Sequence, residues 1–336
     1  MCAGQIFFDW QTEIMLYQEK LIYKNRIVDI VMLELFKALA DPCRLRLTAV
    51  LLSGEFTVQE LTRIMEMGQS RVSRHLKILM EAGVIAVKRQ GTWSYFRAGA
   101  GGFFSTIRPA FEQKLGELPE RSHDLAAVAA VLEERRQRSL DFFDRHARQW
   151  DELVKALLPV PDYSRSLLKL VPEGGTVLEI GIGTGGLLAE LAARAALTIG
   201  VDHSPAMLDE AHRRLTGAGV KGVELRLGEM THLPLSDNAV DCVVANMVLH
   251  HAADPLAVFT EIRRVLSPGG ILLLADLARH ELEAVREQLA DQWLGFEETE
   301  LQLWLTAAGF SEVRCRPIEG DGGQKTVLLV TGEGGR

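Results

Sequence analysis

Five short apolar runs, separated by segments of helix length, most constrain how this chain can fold. The runs are 176–181, 197–202, 223–227, 240–246 and 270–276. Strands buried on both faces read as continuous apolar runs, and parallel strands need a long crossover between them. The C-terminal half is therefore predicted to be a doubly wound, Rossmann-like α/β domain. A final pair of runs, 312–317 and 325–330, flanks Glu319-Gly-Asp-Gly-Gly and predicts a terminal β-hairpin.

The segment 33–97 has a different organisation. Its predicted elements are two helices over 33–52, a helix over 57–65, a helix over 70–81 and two strands over 84–97. Asp41-Pro42 separates the first two helices, Thr57 and Glu60 form a capping box for the third, and Gly83 ends the fourth. Helix, short turn, helix and hairpin is the order of a winged helix-turn-helix.

Charge is divided unequally between these two parts. Residues 32–98 carry ten Lys and Arg against six Asp and Glu, whereas residues 170–278 carry seven against thirteen. The whole chain has a formal net charge of −8. A basic module ahead of an acidic one suggests nucleic acid as the partner of the first module only.

The helix over 70–83 divides into two faces at a period of 3.6 residues. The packed face is predicted to hold Val72, Leu76, Leu79 and Gly83. The opposite face and the wing supply the candidate DNA contacts, which are Gln69, Ser70, Arg71, Ser73, Arg74, Lys77, Lys88 and Arg89. Serine and arginine can address base edges, and cations on a wing can meet phosphate. The alternative is a solvated helix face with a wing that makes protein contacts only.

This segment resembles the ArsR-type family of winged-helix regulators over about residues 33–97. The motifs that carry the resemblance are FKALADPCRLRL at 36–47, VQEL at 58–61, QSRVSRHLKIL at 69–79 and EAGV at 81–84. The resemblance implies homodimers on near-palindromic double-stranded operators, with repression relieved by an inducer. Many members sense metals through cysteines on the helix before the reading helix, but 56–61 has none. Cys43 stands where a threonine is usual and is expected to pack between helices.

The sequence EIGIGTGG at 179–186 ends the first strand of the second module and opens a helix. Gly181, Gly183 and Gly186 also fit the G-x-G-x-x-G pattern, so the loop alone permits a dinucleotide, with Asp202 taking ribose in either case. Three further features favour S-adenosylmethionine. They are an acidic Glu179 that would repel a pyrophosphate, the runs GEM at 228–230 and LPL at 233–235, and the terminal hairpin.

Together these features resemble a class I methyltransferase domain from about 170 to 332. The motifs are VLEIGIGTG at 177–185, GVD at 200–202, GEMTHLP at 228–234, the run 241–251 and RVLSPGG at 264–270. The resemblance implies methionine against the glycine loop, ribose on Asp202, adenine between Glu229 and Met230, and Asn246 facing the methyl group. The predicted site for S-adenosylmethionine or S-adenosylhomocysteine is Glu179, Gly181, Gly183, Gly185, Asp202, His203, Glu229, Met230 and Asn246.

The remaining candidate reactive residues are predicted to have structural and not catalytic roles. The aromatic segment 142–151 is either a lid over the adenosyl site or ordinary helix packing. Adjacent His250 and His251 are expected to point in different directions and to serve as pocket wall, so no metal site is predicted. Arsenic methylation would need several cooperating thiols, and Cys242 and Cys315 are too few. No catalytic acid or base is predicted, because methyl transfer mainly needs alignment of the acceptor.

The predicted domains are an unassigned extension (1–31), the winged helix-turn-helix (32–98), a helical linker, dimerisation and lid segment (99–169) and the methyltransferase domain (170–336). Without a membrane-length apolar run, a secretory leader or paired cysteines, the chain is expected in the cytoplasm. Two functions compete: a transcription regulator with an adenosyl-ligand sensor, and an active methyltransferase that uses the winged helix for dimerisation or targeting. The methyl acceptor and the operator sequence are not predicted.

Overall fold

The computed structural model describes residues 31–99, 101–158, 160–318 and 326–335. Contacts divide the chain into two units, the first extending to Val131 and the second running from Leu132, with the turn residues 90–92 grouped with the second. The division lies inside the segment 99–169. Residues 1–30 of the predicted extension (1–31) and the turn at 319–325 lie outside the described residues. No helix in the described part of the chain is both long and apolar enough to cross a bilayer.

The first unit is a winged helix-turn-helix followed by further helices. Its elements are α1 over 31–39, α2 (Pro42–Leu51), β1 (Phe56–Thr57), α3 (Val58–Ile64), α4 (Gln69–Glu81), β2 (Ile85–Gln90), β3 (Trp93–Ala98), α5 (Gly102–Leu115) and the start of α6 (Arg121–His146). The strands form a sheet in the order β1-β3-β2, and β1 pairs antiparallel with β3. The predicted helix order and hairpin are confirmed, and α5, which contains Pro109, falls within the segment 99–169 that was expected to be helical.

The predicted caps of this unit are confirmed. Asp41 accepts a hydrogen bond from the Arg44 amide at 3.0 Å, with Pro42 in the first turn. Thr57 and Glu60 form the reciprocal capping box of α3. One assignment was wrong: Gly83 is exposed beyond the end of α4 with φ +70°, so it terminates the helix and does not belong to its packed face.

The start of α6 is joined to α2 by a buried ion pair. The Arg46 guanidinium donates to both oxygens of Asp124, from Nη2 at 2.6 Å and from Nε at 3.0 Å. Only 2% of the Asp124 side chain is exposed. Arg121 adds a hydrogen bond to the Ala49 carbonyl at 3.0 Å. These contacts fix the first turns of α6 within the first unit.

The second unit is a β-sheet whose strands alternate in sequence with helices. It contains the rest of α6, a 3₁₀ turn (Ala147–Gln149), α7 (Trp150–Leu157), α8 (Ser164–Leu168), α9 (Leu188–Ala192), α10 (Pro205–Gly217), a 3₁₀ turn (Leu249–His251), α11 (Pro255–Val265), α12 (Ala284–Gln288) and α13 (Glu298–Ala307). Its strands are β4 (Thr176–Ile180), β5 (Leu197–Asp202), β6 (Val223–Leu227), β7 (Val240–Asn246), β8 (Leu266–Leu277), β9 (Phe310–Ile318) and β10 (Val327–Gly334).

The seven strands lie in the order β6-β5-β4-β7-β8-β10-β9. Strands β4 to β8 pair in parallel, and β10 is antiparallel to both of its neighbours, β8 and β9. This confirms the predicted doubly wound sheet with a terminal hairpin. In the register, Ile180 lies opposite both Val201 and Ala245. The carboxyl ends of β4, β5 and β7 therefore meet at one edge, where such sheets bind ligands.

Candidate functional site

The exposed face of α4 is the candidate DNA interface. Val72, Leu76 and Leu79 are buried, as the periodicity predicts. The predicted contacts on this helix are all exposed, namely Gln69, Ser70, Arg71, Ser73, Arg74 and Lys77. The helix thus has one apolar face and one face of short polar and cationic side chains, as entry into a major groove requires.

The wing differs from expectation at one position. Arg89 is exposed, but Lys88 is only 8% exposed. The burial of this side chain does not favour the predicted phosphate contact by Lys88, which stays a prediction. Lys88 and Arg89 are neighbours on β2, and successive side chains on a strand point to opposite faces, so the two cations could not share one exposed face.

Cys43 has polar neighbours. The Arg71 guanidinium donates to Cys43 Sγ at 3.5 Å, and ligand atoms of Asp41, Cys43 and His75 lie within 4.8 Å of one another. Cys43 is only half-buried. The prediction that Cys43 packs between helices is therefore incomplete, because its thiol also contacts Arg71 on α4.

The glycine loop after β4 adopts the left-handed backbone that glycine favours. Gly181 and Gly183 have φ of +62° and +51°. A Cβ on Gly181 would lie 2.0 Å from Val248 Cγ2, whereas a Cβ on Gly183 would meet nothing closer than Trp150 Nε1 at 3.6 Å. Gly181 is thus required by the protein's own packing, and the space beside Gly183 is open.

Gly185 serves packing and not the cavity. A Cβ there would lie 2.9 Å from the Cβ of Ala211 on α10. It does not line either cavity described below, unlike Gly181 and Gly183. The predicted contact of Gly185 with the ligand remains a prediction that the geometry does not favour.

Asp202 ends β5 beneath the loop. Its carboxylate accepts hydrogen bonds from the amides of Gly183 and Ser204, each at 2.9 Å. Burial raises the pKa of Asp202, although His203 and the backbone donors act in the opposite direction. His203 lies edge-on to Phe143, and its Nε2 has no hydrogen-bond partner among the described residues.

Glu179 lies at the centre of this edge, on β4, with 2% of its surface exposed. Its Oε2 is buried without a hydrogen-bond partner among the described residues. Burial, together with the nearby Asp202 carboxylate, raises the pKa of Glu179 to about 8. A cationic ligand group placed here would restore the ionised carboxylate.

Asn246 ends β7 and is held by a residue from outside the predicted motifs. The Tyr163 hydroxyl donates to Asn246 Oδ1 at 2.8 Å, and burial raises the pKa of that tyrosine. The next residue, Met247, has φ +51°, an uncommon conformation for a residue with a side chain. Strained backbone of this kind concentrates at binding sites.

Glu229 is paired with a residue of α6. Arg136 Nη1 donates to Glu229 Oε1 at 2.7 Å, and Arg136 also bonds Glu133 on its own helix. Met230 lines a cavity, but Glu229 does not. The predicted contact between Glu229 and adenine is untested, and a ligand there would share the carboxylate with Arg136.

The segment 142–151 lies over the glycine loop and supports the lid hypothesis. Phe143 and Trp150 pack edge to face, with ring centroids 5.0 Å apart. The Thr184 hydroxyl donates to Asp151 at 2.7 Å, and the Ser204 hydroxyl donates to Asp144 at 2.5 Å. Both acceptors are on the lid and both donors follow a strand of the sheet.

These residues enclose two adjoining cavities of about 40 Å³ and about 390 Å³. Residues of the predicted site that line them are Glu179, Gly181, Gly183, Asp202, His203, Met230 and Asn246. Residues that the sequence reasoning missed include Tyr163, Thr184, Met207, Met247 and Val248. Thr184, Met247 and Val248 lie inside the motifs at 179–186 and 241–251 but were given no ligand role, whereas Tyr163 and Met207 lie outside every quoted motif.

The expectation about His250 and His251 was wrong in its geometry. Their ring centroids are 4.1 Å apart, and both rings approach Asp291. His250 Nδ1 lies 2.7 Å from Asp276 Oδ1. A tight 3₁₀ turn brings the two rings together, whereas the predicted divergence assumed a regular helix or an open turn.

Comparisons with known proteins agree with both units. The family described as "Bacterial regulatory protein, arsR family" matches residues 41–87, and the family described as "Methyltransferase domain" matches residues 178–274. An arsenic resistance transcriptional regulator of Pseudomonas putida is 46% identical over 63 residues, which are 18% of this chain and 49% of that protein.

Two relatives match the second part. An arsenite methyltransferase of Halobacterium salinarum is 32% identical over 153 residues, 43% of this chain and 39% of that protein. The chain thus spans well under half of that relative. A demethylmenaquinone methyltransferase of Clavibacter sepedonicus is 30% identical over 171 residues, 43% of this chain and 69% of that protein. The chain therefore contains a segment, 41–87, that is similar to the ArsR family of bacterial regulators, and its second part belongs to the methyltransferases.

Proposed function

We propose that the chain is a DNA-binding transcription regulator whose methyltransferase domain binds S-adenosylmethionine or S-adenosylhomocysteine and acts as a ligand sensor. The observation that carries this proposal is the membership of one helix, α6, in both units. Its start bonds Arg46 through Asp124, and its later turns bond Glu229 through Arg136 and Ser204 through Asp144. A ligand that moves Glu229 or Ser204 would therefore act on a helix that is anchored in the DNA-binding unit.

The residues at the sheet edge fit an adenosyl ligand. Because Gly183 has no side chain, a ligand atom could occupy the open space beside it. The Asp202 carboxylate can accept hydrogen bonds from ribose hydroxyls. The unpaired oxygen of Glu179 suits the ammonium or sulfonium of the ligand. When bound, S-adenosylmethionine would supply a transferable methyl group. These features support binding of either adenosyl compound.

The reading helix supports recognition of double-stranded DNA. Arg71 and Arg74 are exposed on α4, with Ser70 and Ser73 between and beside them. Arginine is the commonest side chain for bidentate contact with guanine. The family of the first unit implies that a homodimer would place two such helices on the half-sites of a near-palindromic operator.

The sensor hypothesis is tested by linkage. An operator would first be selected from a random duplex library with the full chain, and its affinity then measured with saturating S-adenosylmethionine, with S-adenosylhomocysteine and with neither. We expect a coupling of about 1–3 kcal/mol, and DNA must alter ligand affinity by the same factor. Three superimposable binding curves would contradict the sensor and leave only a tethered domain.

A second candidate function is methyl transfer to an acceptor that is not identified. The larger cavity, of about 390 Å³, extends from Asn246 past Tyr163 toward Leu289, which leaves room beside the predicted methyl position. Formation of S-adenosylhomocysteine with quinols, phenols or amines as acceptors tests it.

Arsenite is a poor acceptor on this geometry. Cys242 is buried in the core, where burial raises the pKa of its thiol to about 12, and Cys315 lies on β9. Neither thiol lines the two cavities, and Cys2 lies outside the described residues. Arsenite should therefore give no S-adenosylhomocysteine above background.

A further inference from the structure

Three buried groups converge at the wall of the adenosyl cavity. They are His250 and His251, on the 3₁₀ turn after β7, and Asp291, on the loop after α12. One ligand atom from each lies within 4.8 Å of the other two. The side chains are 4%, 5% and 0% exposed. The sequence motifs give His250 and His251 only a place in the pocket wall, and Asp291 does not line the adenosyl cavities.

The three groups meet without bonding one another. Asp291 Oδ1 lies 3.8 Å from His250 Nε2 and 3.6 Å from His251 Nδ1, beyond hydrogen-bond range. His251 Nδ1 also lies 3.4 Å from the Ala290 carbonyl, a contact that it would give up to bind a metal ion. Neither oxygen of Asp291 has a hydrogen-bond partner among the described residues. A buried carboxylate without a donor is costly, so this arrangement calls for a further group at its centre.

The second nitrogen of His250 is already oriented by a carboxylate. His250 Nδ1 donates to Asp276 Oδ1 at 2.7 Å, and Asp276 also accepts from the amides of Leu249 and Leu277. Histidines that bind metal ions typically donate their other N–H to a carboxylate in this way, which leaves Nε2 free to ligate. Here Nε2 faces Asp291 and His251.

The charges and spacings suit a divalent cation. Asp276 and Asp291 are two carboxylates with no exposed side-chain surface, and a 2+ ion would balance both while the imidazoles stay neutral. Ligand atoms about 2.0–2.1 Å from zinc stand ~3.3 Å apart in a tetrahedron. The distances of 3.8 and 3.6 Å from Asp291 to the two imidazoles exceed that value modestly, and one nitrogen of each imidazole lies within 4.8 Å of the other.

We propose that His250, His251 and Asp291 bind a divalent transition-metal ion of the zinc class, with Asp276 orienting His250 from the second coordination shell. Imidazole nitrogens select such an ion over Mg²⁺ or Ca²⁺, which prefer oxygen ligands. Because His250 and His251 also line the cavities, the ion would fix the wall of the adenosyl site. The site is independent of whether the domain senses a ligand or transfers a methyl group.

The test is a titration of the full-length, chelator-treated chain with Co²⁺, followed by competition with Zn²⁺. We expect one Co²⁺ per chain with ligand-field absorption and no strong sulfur-to-cobalt charge transfer, since no thiolate takes part. D291N should weaken binding by about 100-fold or more, and D276N by about 10–100-fold. Zn²⁺ should raise the Tm of the wild-type chain but not of D291N.

The Asp41, Cys43 and His75 group provides the matched control. C43S removes the thiol of that group and should leave the Co²⁺ stoichiometry, the spectrum and the Zn²⁺ effect on Tm unchanged. Circular dichroism of D276N and D291N checks folding. The proposal is overturned if the folded wild-type chain binds neither Co²⁺ nor Zn²⁺, or if C43S alone abolishes binding.

Discussion

Arg136 Nη1 lies 2.7 Å from Glu229 Oε1, an ion pair that joins α6 to the second residue after β6, which is predicted to lie beside adenine. If α6 transmits ligand binding, this ion pair is part of the connection. We predict that R136A brings the operator affinities with and without S-adenosylmethionine together, while the affinity for the ligand itself changes less than about threefold. An ion pair this exposed contributes about 0–1 kcal/mol, so folding should survive.

R138A is the matched control for that experiment. Arg138 lies on the same helix, 68% exposed, and pairs with Glu134 at 3.7 Å. Anisotropy titrations of both variants should separate them, R138A behaving as the wild type. Equal loss of coupling in the two variants would remove Arg136 from the connection.

Gly181 and Gly183 should respond differently to the same substitution. G181A forces a Cβ to within 2.0 Å of Val248, so we expect loss of several kcal/mol of stability. G183A should cost about 1–2 kcal/mol, from the left-handed backbone alone, but weaken adenosyl binding at least tenfold. Urea unfolding and calorimetry measure the two effects, and unimpaired ligand binding by folded G183A would contradict the assigned site.

Adenosyl binding should depend on pH through Glu179. Burial and the Asp202 carboxylate raise its pKa to about 8, above the unfolded value of about 4.3. The raised pKa means that the folded state holds the proton of Glu179 more tightly than the unfolded state does. The contribution of this proton to the free energy of unfolding is therefore fully present below about pH 4.3, and it is lost as the pH rises through about 8. A cationic ligand favours the ionised form, so its binding releases a proton. Affinity should rise by up to about tenfold per pH unit between pH 6 and 8.

Calorimetry in buffers of different ionisation enthalpy measures that proton directly. E179Q cannot ionise, so it should bind more weakly with a flat profile over the same range. A wild-type affinity that does not change with pH would show that the ligand's charged group lies elsewhere.

The Arg46 and Asp124 pair should matter more for stability than a surface ion pair. D124A would leave the guanidinium uncompensated, and we expect about 3–5 kcal/mol of destabilisation. Denaturant unfolding measures it. E117A removes an exposed pair with Lys114 and should change stability by under about 1 kcal/mol. Similar values for the two variants would contradict the importance given to this buried contact.

Recognition of DNA should depend on Arg74 in a sequence-specific manner. R74A is expected to lose about 1–3 kcal/mol at one base position in each half-site. K114A, far along the chain on α5 and 74% exposed at its side chain, is the control. Binding to a panel of operator variants measures both. An R74A chain that binds the selected operator as tightly as the wild type would show that another face of α4 reads the bases.

Features encoded within a few consecutive residues were predictable, because strand, turn and cap chemistry is local. The glycine loop, Asp202 at the end of β5 and the Thr57 capping box all follow from such patterns. Contacts between distant segments could not be predicted from the sequence. Tyr163 reaches Asn246 across 83 residues, and Asp291 meets His250 across 41, through loops without a motif. Burial of Lys88 likewise depends on tertiary packing.

The place of β10 between β8 and β9 sets an order of events during synthesis. In the described sheet β9 pairs only with β10, so it must wait for the last strand before it can join. The first unit, which ends at Val131, leaves the ribosome about 200 residues before β10 does. At about 5–20 residues per second, that is roughly 10–40 s. A nascent winged helix could thus find a partner chain or DNA before any adenosyl pocket exists.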